Sequence, residues 1–113
     1  MNLLAFVTNK VELVPKIMKE FMQQGLPGAS VIDCGGMLRE VSKTSMIEPP
    51  PIFGSMRRFL NSENEPGKLI FTVINDEEVE IAKNAIHKFS GGLDKPNHGV
   101  LFVMPVSYTE GVK

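Results

Sequence analysis

Two glycine-rich stretches stand out, and the first carries residues suited to holding a small anion. The first is Gly35-Gly36-Met37-Leu38-Arg39. Successive backbone N–H groups at a glycine turn can form an anion nest, and the Arg39 guanidinium is placed to pair with a phosphate. The second is Gly91-Gly92 together with Asn97-His98-Gly99. Each pattern has a plainer reading: the first as a turn leaving a strand, the second as a helix-to-strand connection. No Walker loop or dinucleotide fingerprint accompanies either one.

A third stretch reads as a docking element. In Pro51-Ile52-Phe53-Gly54-Ser55-Met56-Arg57-Arg58-Phe59-Leu60, the residues Ile52, Met56, Phe59 and Leu60 recur at helical spacing, with Arg57 and Arg58 opposite. A short amphipathic helix on a loop, with Phe53 at its start, fits a partner-binding segment. It fits equally a segment folded back on its own protein. Catalytic patterns are missing: there are no paired carboxylates at a strand end and no Ser/His/Asp or Cys/His arrangement. We therefore expect no enzyme. His87, His98 and Cys34 fall on different elements without ligand spacing, so no metal site is expected.

The 113 residues suit one domain, 1–113, with one core. A net charge of -1 gives no electrostatic reason to expect a nucleic-acid partner. The longest apolar runs, such as Val100 to Val106, are too short to cross a bilayer, so no membrane insertion is expected. The first residues lack a basic region and a cleavage site, and the single cysteine cannot form an intrachain disulfide. Both features suit the cytoplasm.

The elements that must position these stretches alternate in type. Leu3 to Thr8 is short and apolar on both faces, as in a central strand. From Leu13, the residues Val14, Ile17, Met18, Phe21 and Met22 form one helical stripe, with Pro15 in the first turn and Gly25 as the terminator. Ala29 to Cys34 and Lys68 to Ile74 read as strands. Between them lies a loop, 36–67, that contains Pro49-Pro50-Pro51. A loop of that length in a small domain is usually functional or disordered. Asn75 with Glu78 forms a capping-box signature, followed by a stripe of Val79, Ala82, Ala85, Ile86 and Phe89. Gly91-Gly92 ends this helix, Val100 to Pro105 gives a last strand, and Ser107 to Lys113 a polar tail. The order β-α-β, long loop, β-α-β is the α+β, ferredoxin-like pattern: a four-stranded antiparallel sheet with two helices on one face. The second and fourth strands then lie at opposite edges, so the two glycine stretches are not neighbours within one subunit but could meet across a subunit boundary. The other face carries apolar residues such as Phe71 or Phe102. Self-association is its simplest cover.

Nearly the whole chain resembles the P-II signal-transduction superfamily of nitrogen regulation. Gly25-x-x-Gly28-x-Ser30-Val31 resembles that family's Gly-x-x-Gly-x-Thr-Val entry to the second strand. Gly36-Met37-Leu38-Arg39 stands where the family has Gly-Phe-Gly-Arg. Asn97-His98-Gly99-Val100-Leu101-Phe102-Val103-Met104-Pro105-Val106 resembles its Gly-Asp-Gly-Lys-Ile-Phe-Val-Ser-Pro-Val. The resemblance implies a homotrimer with inward-facing sheets and adenine nucleotides bound in clefts between subunits. It also implies a long T-loop, here 36–67, that docks on a transporter, an enzyme or a transcription regulator. The implied nucleotide site comprises Ser30, Gly35, Gly36, Met37, Leu38, Arg39, Asn97, His98 and Gly99. Val100 replaces a phosphate-binding lysine, and His98 replaces an aspartate. Ser107 to Thr109 lack the family's arginines, and Glu40 replaces a glutamine that contacts Mg-bound 2-oxoglutarate. The only tyrosine, Tyr108, lies outside the T-loop. With these charges gone, AMP, ADP or a cyclic nucleotide is expected before Mg-ATP. Gly35-Gly36-Met37-Leu38-Arg39 is also similar to the Gly-Gly-Phe-Leu-Arg of P-II-like cyclic di-AMP receptors. Two other readings remain open: a ligand-independent adaptor trimer, and a metal-responsive trimer of the copper-tolerance type.

Overall fold

Residues 1–26, 28–35, 67–94 and 99–112 are described by the structure, a computed structural model. The elements run β1 (Asn2–Thr8), α1 (Leu13–Gln23), β2 (Ser30–Cys34), β3 (Gly67–Ile74), α2 (Asp76–Ser90) and β4 (Val100–Pro105). The strands form one four-stranded sheet in the order β2-β3-β1-β4, with every neighbouring pair antiparallel. This is the expected ferredoxin-like α+β architecture, with β2 and β4 at opposite edges.

Alternation along the strands decides which residues meet the helices. Leu4 and Phe6 of β1 share a face with Ile70 and Ile74 of β3. All four are fully buried, as are Ile17 of α1 and Ile86 of α2. These residues hold the core cluster, with Val14, Phe21, Ala82 and Ala85 around them. The two buried threonines of the sheet are satisfied: the Thr72 hydroxyl donates to the Gly28 carbonyl at 2.5 Å, and Thr8 Oγ1 accepts from the Lys10 N–H at 3.0 Å.

Helix α1 stops by a local device visible in the sequence. The Gly25 N–H donates to the Met22 carbonyl at 3.1 Å and the Leu26 N–H to the Phe21 carbonyl at 3.0 Å. This is a Schellman pattern, and it requires Gly25 at φ 77°, a conformation that a Cβ would penalise. Leu26 and Phe21 then bury their side chains together in the core. The sequence stripe is corrected at one residue. Met22 was expected on the buried side but is 79% exposed. At about 100° per residue, Met22 sits roughly 130° around the helix from the centre of the buried Leu13, Val14, Ile17 and Phe21.

Helix α2 begins with the expected capping box. Asn75 Oδ1 accepts from the Glu78 N–H and Glu78 Oε1 accepts from the Asn75 N–H, both at 3.0 Å. Asp76, Glu77 and Glu78 occupy its first turn, and His87 and Lys88 its last, in the sense the helix dipole favours. Asn75→Ala removes one of these bonds and is expected to cost about 1 kcal/mol. By thermal melting that appears as a fall of about 4–8 °C in a domain of this size. A melting point within 1 °C or so of the parent would show that the cap contributes little.

Candidate functional site

The register defines the sheet face turned away from the helices. Its rungs cross the strands as Val73–Leu3–Met104, then Ser30–Phe71–Ala5–Phe102, then Ile32–Leu69–Val7–Val100. No charged side chain stands in these rungs, and Ser30 is their only polar residue. Exposure is greatest toward the edges: Ile32 50%, Val100 62%, Phe102 41% and Met104 44%. Ala5 in the middle is only 3% exposed, because it stands between the larger Phe71 and Phe102. A contiguous apolar face of this kind marks an interaction surface. The expected placement of Phe71 and Phe102 on this face is what the register gives.

Strand β4 adds a second feature. It lies at the sheet edge and is apolar throughout, Val-Leu-Phe-Val-Met-Pro. On its helix side, Val103 is still 37% exposed. Edge strands of soluble proteins are commonly protected by charge, by proline or by a covering segment. Here Pro105 at the strand end is the only such residue within β4. The other edge, β2, carries Asp33, whose carboxylate pairs with Lys68 on the adjacent β3.

Of the nucleotide-site residues expected from the sequence, Ser30, Gly35 and Gly99 are among the described residues. Gly36, Met37, Leu38, Arg39, Asn97 and His98 lie outside them, as do Ile52, Phe53, Met56, Arg57, Arg58, Phe59 and Leu60 of the docking segment. Gly35 follows the last residue of β2, and Gly99 precedes the first of β4. Both therefore sit at the end of the sheet where β1 finishes and β3 begins. They are on opposite edges, with two strands between, so roughly 14 Å of sheet separates them at about 4.8 Å per strand. Ser30 is at the other end of β2, in register with Phe71. One chain thus does not bring Ser30, Gly35 and Gly99 together.

Gly99 has a packing reason to be glycine. A Cβ there would lie 2.7 Å from the Val7 carbonyl oxygen and 2.8 Å from the Phe6 ring, and φ is +121°. The chain enters β4 pressed against β1, which accounts for this glycine without a ligand.

Ser30 lines a cleft of about 540 Å3, together with Gly28, Ala29, Phe71, Thr72, Val73, Gly111 and Val112. That volume lies within the range of small-molecule sites. None of these residues is charged, so the cleft suits a neutral or aromatic group better than a phosphate. The sequence reading missed Phe71, Val73, Gly111 and Val112 as neighbours of Ser30. Strand alternation carried the signal for the first two. No local pattern carries it for the tail. Among the described residues, no cluster of three His, Cys, Asp or Glu side chains is placed to hold a metal ion. No described helix is long and apolar enough to cross a membrane.

Compared with known proteins, the chain matches no family model and no curated protein sequence.

Proposed function

We propose that this chain is the subunit of a homotrimeric, P-II-like regulatory protein. In this reading a small-molecule effector of the adenine-nucleotide class binds at clefts between subunits. Its binding alters the 36–67 loop, which engages or releases a regulated transporter or enzyme in the cytosol. The protein is a regulator and not an enzyme.

The observation that carries the reading is the joint presence of an apolar open face and an apolar β4 edge whose one guarding residue is Pro105. A face-to-face pair of copies covers the face and leaves the edge. Edge-to-edge addition covers the edge and leaves the face. A closed ring with the faces turned inward covers both, and such a ring is a heterologous assembly of identical subunits. The ring also sets the β2 edge of one copy beside the β4 edge of the next. Gly35 of one subunit and Gly99 of its neighbour, already at the same end of the sheet, then come together. Three is the number of copies given by the resemblance. By residue type, Gly35 to Arg39 supports a site for a small phosphate charge. By linkage, partner binding at the loop changes effector affinity by the same factor as the effector changes partner affinity.

The test joins mass measurement by light scattering to calorimetry with AMP, ADP, ATP, cyclic di-AMP and 2-oxoglutarate. A trimer that binds at least one adenine nucleotide, with AMP, ADP or the cyclic nucleotide tighter than Mg-ATP, is the expected result. A trimer that binds none of them removes the nucleotide reading and leaves an adaptor whose partner capture ignores ligand. Stoichiometric copper or zinc in the purified protein would instead favour the metal-responsive reading.

A further inference from the structure

The tail after β4 lies close to the open face without being tied to it. The Val106 N–H donates to the Met1 carbonyl at 3.0 Å and ends the β1–β4 ladder. Among the described residues, Ser107 to Val112 make no hydrogen bond to the body of the domain. None of these residues belongs to the core cluster. Tyr108 is 72% exposed, whereas Val112 is half-buried. The segment passes from the β4 edge to the β2–β3 side, where Gly111 and Val112 face Ser30, Phe71 and Val73 across the cleft. Those three residues all belong to the open face by register. A segment held by a few apolar contacts and no backbone hydrogen bonds opens at low free-energy cost.

We propose that residues 107–112 are a detachable strap over the Phe71–Val73 side of the open face, and that a second copy of the chain displaces it on assembly. The strap and the neighbouring subunit compete for one apolar surface. The strap sets how readily copies associate and keeps part of the face covered in the free chain. The proposal rests on the self-association reading above.

Two point variants of the whole chain loosen the strap without touching the sheet. Val112→Asp sets a charge against the apolar wall. Gly111→Val places a β-branched side chain where φ is +81°, a backbone region such residues avoid. Neither removes a core contact, so both are expected to melt close to the parent. Partial burial of one valine predicts that each variant tightens association roughly fivefold. Sedimentation across a concentration series reads this as a lower dissociation constant. For an assembly too tight to dissociate, subunit exchange between two labelled populations reads it as slower exchange. Assembly with unchanged or weakened association in both variants overturns the strap alone, and weakening would make the tail part of the interface. A chain that is monomeric in every form at every concentration overturns the self-association reading and the strap with it.

Discussion

Phe102→Asp is expected to yield a folded monomer that has lost effector binding. Phe102 is 41% exposed on the open face of the edge strand β4, in the same rung as Ala5 and Phe71. In the free chain, aspartate at that position faces water, so the fold tolerates it. In a ring of copies, each subunit would bury that carboxylate against uncharged neighbours. An unpaired charge buried in this way costs several kcal/mol per site. Each 1.4 kcal/mol is tenfold in affinity, so assembly should weaken by at least about a hundredfold. Light scattering reads the mass, and circular dichroism reads whether the variant keeps its secondary structure. Calorimetry with the effector that binds the parent then reads the shared site. A variant that remains assembled would remove the open face as the interface. A monomer that still binds the effector normally would put the ligand site within one subunit.

Gly99→Ala is expected to be the most destabilising single-methyl change among the described residues. The added Cβ would stand 2.7 Å from a backbone oxygen of β1 and 2.8 Å from the ring of Phe6, which is fully buried. Neither neighbour can move without disturbing the β1–β4 ladder or the core. Left-handed strain contributes about 1–3 kcal/mol, and overpacking contributes a similar amount. A loss of about 3 kcal/mol is a large share of the roughly 5–15 kcal/mol that holds a domain together. Denaturant or thermal unfolding would show it as a fall of at least about 10 °C. The same variant discriminates between the two readings of this glycine. Parental stability with lost effector affinity would make Gly99 a phosphate-contacting residue first. A large loss of stability makes it a packing residue first.

The order of elements, the capping box at Asn75, the stop at Gly25 and the edge position of β2 and β4 were all legible in the sequence. The first three depend on short-range chemistry: a side chain three residues from its backbone partner, a glycine at a helix end, or a two-residue alternation; the edge positions follow from the topology that the order of elements implies. Met22 shows where that legibility stops. It lies four residues from Met18 on the same row, yet the row drifts around the helix and leaves it in solvent. The candidate site was legible only in pieces. Gly35 and Gly99 were marked by type and Ser30 only by the resemblance, but the distances among them depend on strand order and register.

The sequence by itself determined the elements and the apolar character of both sheet faces. These follow from residue types and periodicity, which need no knowledge of what packs on what. Only the tertiary structure decided the register that sets Gly35 and Gly99 level at one end of the sheet, with Ser30 at the other. It also decided that Gly99 is pressed against Val7 and Phe6, and that the tail returns beside Phe71. Those relations are set by cross-strand pairing between residues far apart in the chain, and pairing register is a property of the folded sheet.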